Sequence, residues 1–187
     1  MSFSLIVTGL QSMQSHYANA VRYDRFTRIL HWVVAVVIIY AMCMGYILHA
    51  LEGTRWFAFF SVLNMSLGTI ATPIMLVRFV WRFFRPSLAW PASISLRKKQ
   101  MVVFIHEVFY LTIFVVLVSG FLMLQKDFHL FGLLPISRPI DVPVINHFFF
   151  VIHRYSCIML GTILLMHVAA VLKYTFSGKP EILRRML

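Results

Sequence analysis

Acidic side chains are scarce in this chain: six Asp and Glu stand against seventeen Lys and Arg in 187 residues. No paired carboxylates fall inside its apolar stretches, and the two in the segment from Asp127 to Asp141 lack metal-ligand spacing. Proton or ion transport through carboxylate pairs at mid-membrane is therefore the weakest functional class. Cysteine is almost absent as well. Cys43 and Cys157 both lie in apolar runs and read as small buried residues, which excludes a disulfide framework and a CxxC centre. No secretory leader is legible. The run Leu5-Ile6-Val7 is too short for a leader core, no lysine or arginine precedes it, and Ala18-Asn19-Ala20 resembles a cleavage site only in composition. Residues 1–22 accordingly read as an uncleaved, mostly polar cytoplasmic tail, and no internal repeat is visible.

What the chain has instead is apolar surface. Hydrophobic residues make up 60% of it, against about 45–50% in soluble domains. Four stretches approach the roughly 20 residues needed to cross a bilayer, at about 29–48, 57–80, 101–124 and 148–172. They predict an all-α membrane protein, a single four-helix bundle over residues 23–187. Pro73 falls inside the second span and should kink it or loosen a turn. Pro86 and Pro91 break the second linker; Pro135, Pro139 and Pro143 break the third.

The basic residues are one-sided. Thirteen, from Arg22 to Arg28, Arg78 to Lys99 and Lys173 to Arg185, lie on one side of the spans; Arg55, Lys126, Arg138 and Arg154 lie on the other. The positive-inside rule then puts both termini in the cytoplasm, and the net charge of +11 becomes an orientation signal, not a nucleic-acid footprint. Trp32, Trp56, Trp81 and Trp90 near span ends read as interfacial anchors.

The chemistry rests on histidine. His153 and His167 sit fourteen residues apart in the fourth span, roughly 40° apart around a helix and about 21 Å apart along it. One helix face thus offers an imidazole toward each membrane surface. Such groups are costly in lipid; they either hydrogen-bond neighbouring helices or serve a function. His31 opens the first span at the depth of His167, near the cytoplasmic face, so this pair meets the depth requirement of a bis-imidazole haem b. At the depth of His153, the second span offers Asn64.

Several motifs together resemble the bacterial cytochrome b561 family. They are Phe26-Thr27-Arg28-Ile29-Leu30-His31-Trp32, Arg78 ten residues after Gly68, His106 with Tyr110, and the fourteen-residue step from His153 to His167. The same step is found in related di-haem subunits of formate dehydrogenase and nickel–iron hydrogenase. The resemblance spans residues 22–187. It implies a bundle holding b haems that exchange electrons with the quinone pool, ubiquinone being the expected redox partner, alongside a peripheral or periplasmic protein partner. Some relatives oxidise superoxide. The inner haem would be ligated by His31 and His167. The outer haem would use His153 and a second-helix histidine, but Leu63-Asn64-Met65-Ser66-Leu67-Gly68 puts Asn64 there, and an amide is a poor ligand for low-spin iron.

One haem b therefore follows and a second is open. His49, five turns beyond His31, is a substitute ligand about one turn too high; Met42, Met44 and Met65 are thioether candidates or simple packing. Gly45 and Gly120, at outer depth, leave room for a flat cofactor, and the expectation is a second haem held through His153 with weak ligation opposite; Gly68 and Gly161 lie nearer mid-membrane. His106 and Glu107 could pass protons to a quinone, or could hydrogen-bond across the bundle and snorkel. Arg28, Arg78 and Arg82 could meet haem propionates, or could be plain cytoplasmic anchors. His16, His129 and His147 fall in the tail or the outer loop. The rival to an electron carrier is a haem-poor membrane anchor that docks a partner oxidoreductase.

Overall fold

A computed structural model describes residues 22–85, 88, 90, 94–178 and 181–187. The tail before Arg22, with His16, and the linker residues Pro86 and Pro91 lie outside the described residues. Four helices are long and apolar enough to cross a membrane: α1 Arg25–Leu51, α2 Arg55–Phe84, α3 Leu96–Leu122 and α4 Pro143–Phe176. Each begins before its expected span. The hydrogen-bonded backbone continues past the apolar stretch into flanking polar residues, which hydropathy alone does not register.

Local chemistry fixes the ends. Asp24 caps α1: its carboxylate accepts from the Thr27 backbone N–H at 2.9 Å and from the Thr27 hydroxyl at 2.6 Å. Partial burial pushes this carboxyl up, but the bonds from Thr27 and its own backbone, with the Arg85 charge, outweigh that and hold it below its ordinary value. A depressed carboxyl contributes stability above its unfolded value and loses it as pH falls through the native one. Asp24→Ala should therefore lower thermal stability in detergent by about 1 kcal/mol at neutral pH. The gap between variant and wild type should close from about pH 4 downward; a gap independent of pH would contradict the cap.

Pro73 does not break α2, which runs through it. On the preceding turns the Thr69 hydroxyl donates to the Met65 carbonyl at 2.9 Å, and that of Thr72 to the Gly68 carbonyl at 3.0 Å, adding bonds where the proline removes one. Pro143 opens α4 at a position where a missing N–H costs nothing.

Consecutive helices pack side by side: α1 on α2, α2 on α3, α3 on α4. No comparable backbone packing joins α1 to α4 among the described residues. Their meeting is a side-chain contact, with the Met42 methyl lying 2.9 Å from where a Cβ on Gly161 would stand. The core is one layer at mid-height, Val34 and Ile38 of α1, Met75 of α2, Ile113 of α3 and Leu160 of α4. Leu160 is halfway between His153 and His167, about 10 Å from each. One packed layer thus separates an inner from an outer level.

The third linker carries a hairpin that the sequence did not suggest. Strands β1 Phe128–Leu130 and β2 Leu134–Ile136 pair antiparallel, joined through Phe131 (φ 49°) and Gly132 (φ 77°). They are three residues each, too short for a periodic signal, and Pro135 sits in β2. The hairpin folds down onto α2, where the Phe131 N–H donates to the buried Ser66 hydroxyl at 2.8 Å. Asn146 ties α4 to the end of α3, its amide N–H groups donating to the carbonyls of Leu122, Leu124 and Ile140 at 3.0 to 3.3 Å. His129 lies on β1, whereas His147 belongs to the first turns of α4, not to the loop, and stacks on Phe150.

At the opposite end the chain closes on itself. A short helix, α5 Glu181–Arg184, precedes a C-terminal segment that meets α1. Tyr23 N–H donates to Arg185 O at 3.0 Å, the Trp32 indole to Met186 O at 2.8 Å, and Arg28 Nη1 to Leu187 O. The described N-terminal end and the C-terminus therefore share one side, called inner below.

Candidate functional site

His31 sits two turns into α1, half-buried, and Arg78 reaches it from α2. Guanidinium Nη2 lies 2.9 Å from His31 Nδ1, Nη1 lies 3.4 Å from the His31 carbonyl, and Nε donates to the Tyr110 hydroxyl of α3 at 3.3 Å. Guanidinium offers only donors, so Nδ1 accepts and the proton of the neutral ring rests on Nε2. His167 of α4 meets the rings of His106 at 5.9 Å and Phe109 at 5.8 Å, edge to face. It makes no hydrogen bond among the described residues. His31 lies within electrostatic range of both His167 and His106. Two imidazoles thus come from the two helices whose backbones are not packed together, and the nitrogens of the His167 ring are free to take a ligand.

Basic groups surround this level. Arg82 Nη1 pairs with Glu107 Oε1 at 2.5 Å while its guanidinium lies 5.1 to 5.3 Å from the rings of Phe79, Phe83 and Tyr110. Glu107 is thus tied across to α2. His106 does not bond across the bundle; its Nδ1 is 2.7 Å from the Val102 carbonyl of its own helix. Arg28 Nε is buried without a partner. The Trp81 indole donates to the Thr27 hydroxyl at 3.0 Å, so this tryptophan binds protein as well as marking the interface. Thr27, Trp81 and three arginines, Arg78, Arg82 and Arg85, line a cavity of about 10 Å³, room for one water.

The outer level differs. His153 Nδ1 lies 2.9 Å from the Val116 carbonyl and 3.4 Å from the Ser119 hydroxyl of α3; its Nε2 lies 3.5 Å from Cys157 Sγ. Asn64 Oδ1 is buried with no partner. His49 is not brought into the bundle: its side chain is 79% exposed and stands 3.4 Å from Glu52. Met42 packs at mid-height against Gly161, and Met44 is buried. Gly45 and Gly68 face open space, but the space above Gly120 is filled by the His153 ring. The sequence reading missed Cys157 as a partner of His153, although a four-residue step on a helix is a signal for it. It also missed Ser66, whose partner lies 65 residues away.

A membrane bundle with imidazoles on its first and last helices, within electrostatic range of each other and ringed by arginine, is built like a haem-binding membrane cytochrome. Comparison with known families agrees: the family described as prokaryotic cytochrome b561 matches residues 22–187, and the chain belongs to it. No curated protein matched the chain. Membership makes this a haem b membrane electron-transfer protein of the bacterial multi-pass class. The inner residues fit that group: among the described residues His167 has no hydrogen bond, His31 is bonded through Nδ1 and not Nε2, and Arg28 Nε lacks an acceptor.

Proposed function

We propose that this chain would hold haem b at the inner level between α1 and α4 through His31 and His167, and that the protein exchanges electrons with quinone. The observation that carries this is His167, half-buried and without a hydrogen bond among the described residues, on the helix that meets that of His31 through side chains and not through close backbone packing. The haem supplies one-electron chemistry; the chain supplies ligands, a dry core layer and charge. Ligation through Nε2 requires the His31 proton on Nδ1, so Arg78 must leave Nδ1 and is then free for a propionate. Arg28, with an unmet Nε–H, is the second propionate candidate. Quinol oxidation releases protons with electrons, and His106 with Glu107, about three turns into α3 from its inner end, could take them up. Addition of a short-chain ubiquinol to the oxidised protein should reduce the haem, and His106→Phe with Glu107→Gln should slow that reduction. A haem that ubiquinol leaves oxidised would overturn the quinone link.

The orientation proposed is both termini cytoplasmic in the inner membrane, from the thirteen-to-four division of basic residues. A C-terminal alkaline phosphatase fusion should be inactive and a fluorescent protein fusion bright; phosphatase activity would reverse the topology.

A further inference from the structure

The prokaryotic cytochrome b561 fold implies a second haem at the outer level, and three groups there do not fit it. The first is His153. The Val116 carbonyl, 2.9 Å from Nδ1, only accepts, so the proton sits on Nδ1 and Nε2 is left as an acceptor. That bond alone would suit an iron ligand. One turn along the same face, however, Cys157 Sγ stands 3.5 Å from Nε2, where the thiol hydrogen meets the lone pair that iron would need. Both ring nitrogens of His153 are thus engaged by protein, whereas His167 engages neither.

The second is Gly120. A Cβ on it would stand 2.9 Å from Cε1 and 3.1 Å from Nδ1 of His153. The room this glycine leaves on α3 is taken by the imidazole itself, so it is not a cradle for a porphyrin. The third is Asn64, fourteen residues before Arg78 on α2 and so level with His153. Its buried, unpartnered Oδ1 calls for a hydrogen-bond donor such as water, and as an iron ligand it would be weak. Two residues on, the hairpin tip is fastened to Ser66 and covers α2 at this depth.

We propose that this chain is a one-haem cytochrome whose outer level is closed by the His153–Cys157 pair, so that electrons arrive and leave at the inner level alone. The proposal rests on the inner-haem reading above. Relay across the membrane, and oxidation of a donor at the outer face, need a second centre that this packing does not hold.

The test is the haem-to-protein ratio of the purified, detergent-solubilised protein by pyridine haemochrome, with a redox titration of the same sample. The expected result is one haem per chain and a single one-electron component, both unchanged in His153→Ala and Cys157→Ala. A ratio of two that falls to one in His153→Ala would overturn the proposal, as would a high-spin ferric signal lost in that variant. A ratio near zero would remove the inner-haem reading itself and this proposal with it. Should His153→Ala fail to fold, the wild-type ratio and Cys157→Ala still decide.

Discussion

Replacing His31 or His167 by alanine is expected to abolish the low-spin b-type spectrum completely while the protein still inserts and keeps its helicity. Each variant would remove one of the two imidazoles proposed to hold the iron, and a single remaining imidazole cannot give a six-coordinate low-spin centre. The helices should survive, because Ile38 and Leu160 of the packed layer lie about two turns from His31 and His167 along their helices, with Val34 alone about one turn from His31. The control is His106→Ala. Its ring touches His167 at 5.9 Å, but its Nδ1 is spent on the Val102 carbonyl. Loss of that ring should perturb the spectrum slightly without removing it. Reduced-minus-oxidised spectra of the three purified variants check this. An unchanged spectrum in both His31→Ala and His167→Ala would exclude the assignment.

Arg78→Ala should weaken haem retention about 10- to 100-fold, roughly the 1.5–3 kcal/mol of a charge-assisted hydrogen bond to a propionate. Its guanidinium also reaches the His31 carbonyl through Nη1 and Tyr110 through Nε, contacts that leave the ring nitrogens free and tie α1, α2 and α3 together at the inner level. Arg78→Lys separates charge from shape: the ammonium keeps the positive charge but not the planar fork. If Arg78 acts as a fork, lysine should rescue little of the retention; if only the charge matters, lysine should restore most of it. Competition for bound haem with apomyoglobin measures the retention. A variant that holds haem as tightly as wild type would show that Arg78 is merely a cytoplasmic anchor.

The spans were legible because each is a run of apolar residues long enough to cross a bilayer. So was the shared side of the two chain ends, since an even number of crossings returns the chain to its starting face. The shared depth of the inner pair was legible as well, since His31 lies near the start of an outgoing helix and His167 near the end of a returning one; their proposed role as ligands came from the family resemblance. What depth could not reveal is which groups a side chain meets. That the His153 ring occupies the space beside Gly120 was not legible, because it is a matter of helix rotation, not of spacing. His49 shares a helix face with His31, yet stands at the outer surface against Glu52, because eighteen residues carry it past the level of the bundle contacts. The hairpin was hidden by its brevity, and its anchor on Ser66 joins residues 65 positions apart.

The central claim, a bis-imidazole haem b between α1 and α4, is tested most directly by the visible and electron paramagnetic resonance spectra of the purified wild-type protein. The account predicts sharp b-type bands on dithionite reduction and a low-spin ferric signal of the bis-imidazole type on oxidation. A protein without haem absorbance, or one whose ferric signal is wholly high-spin, would contradict it.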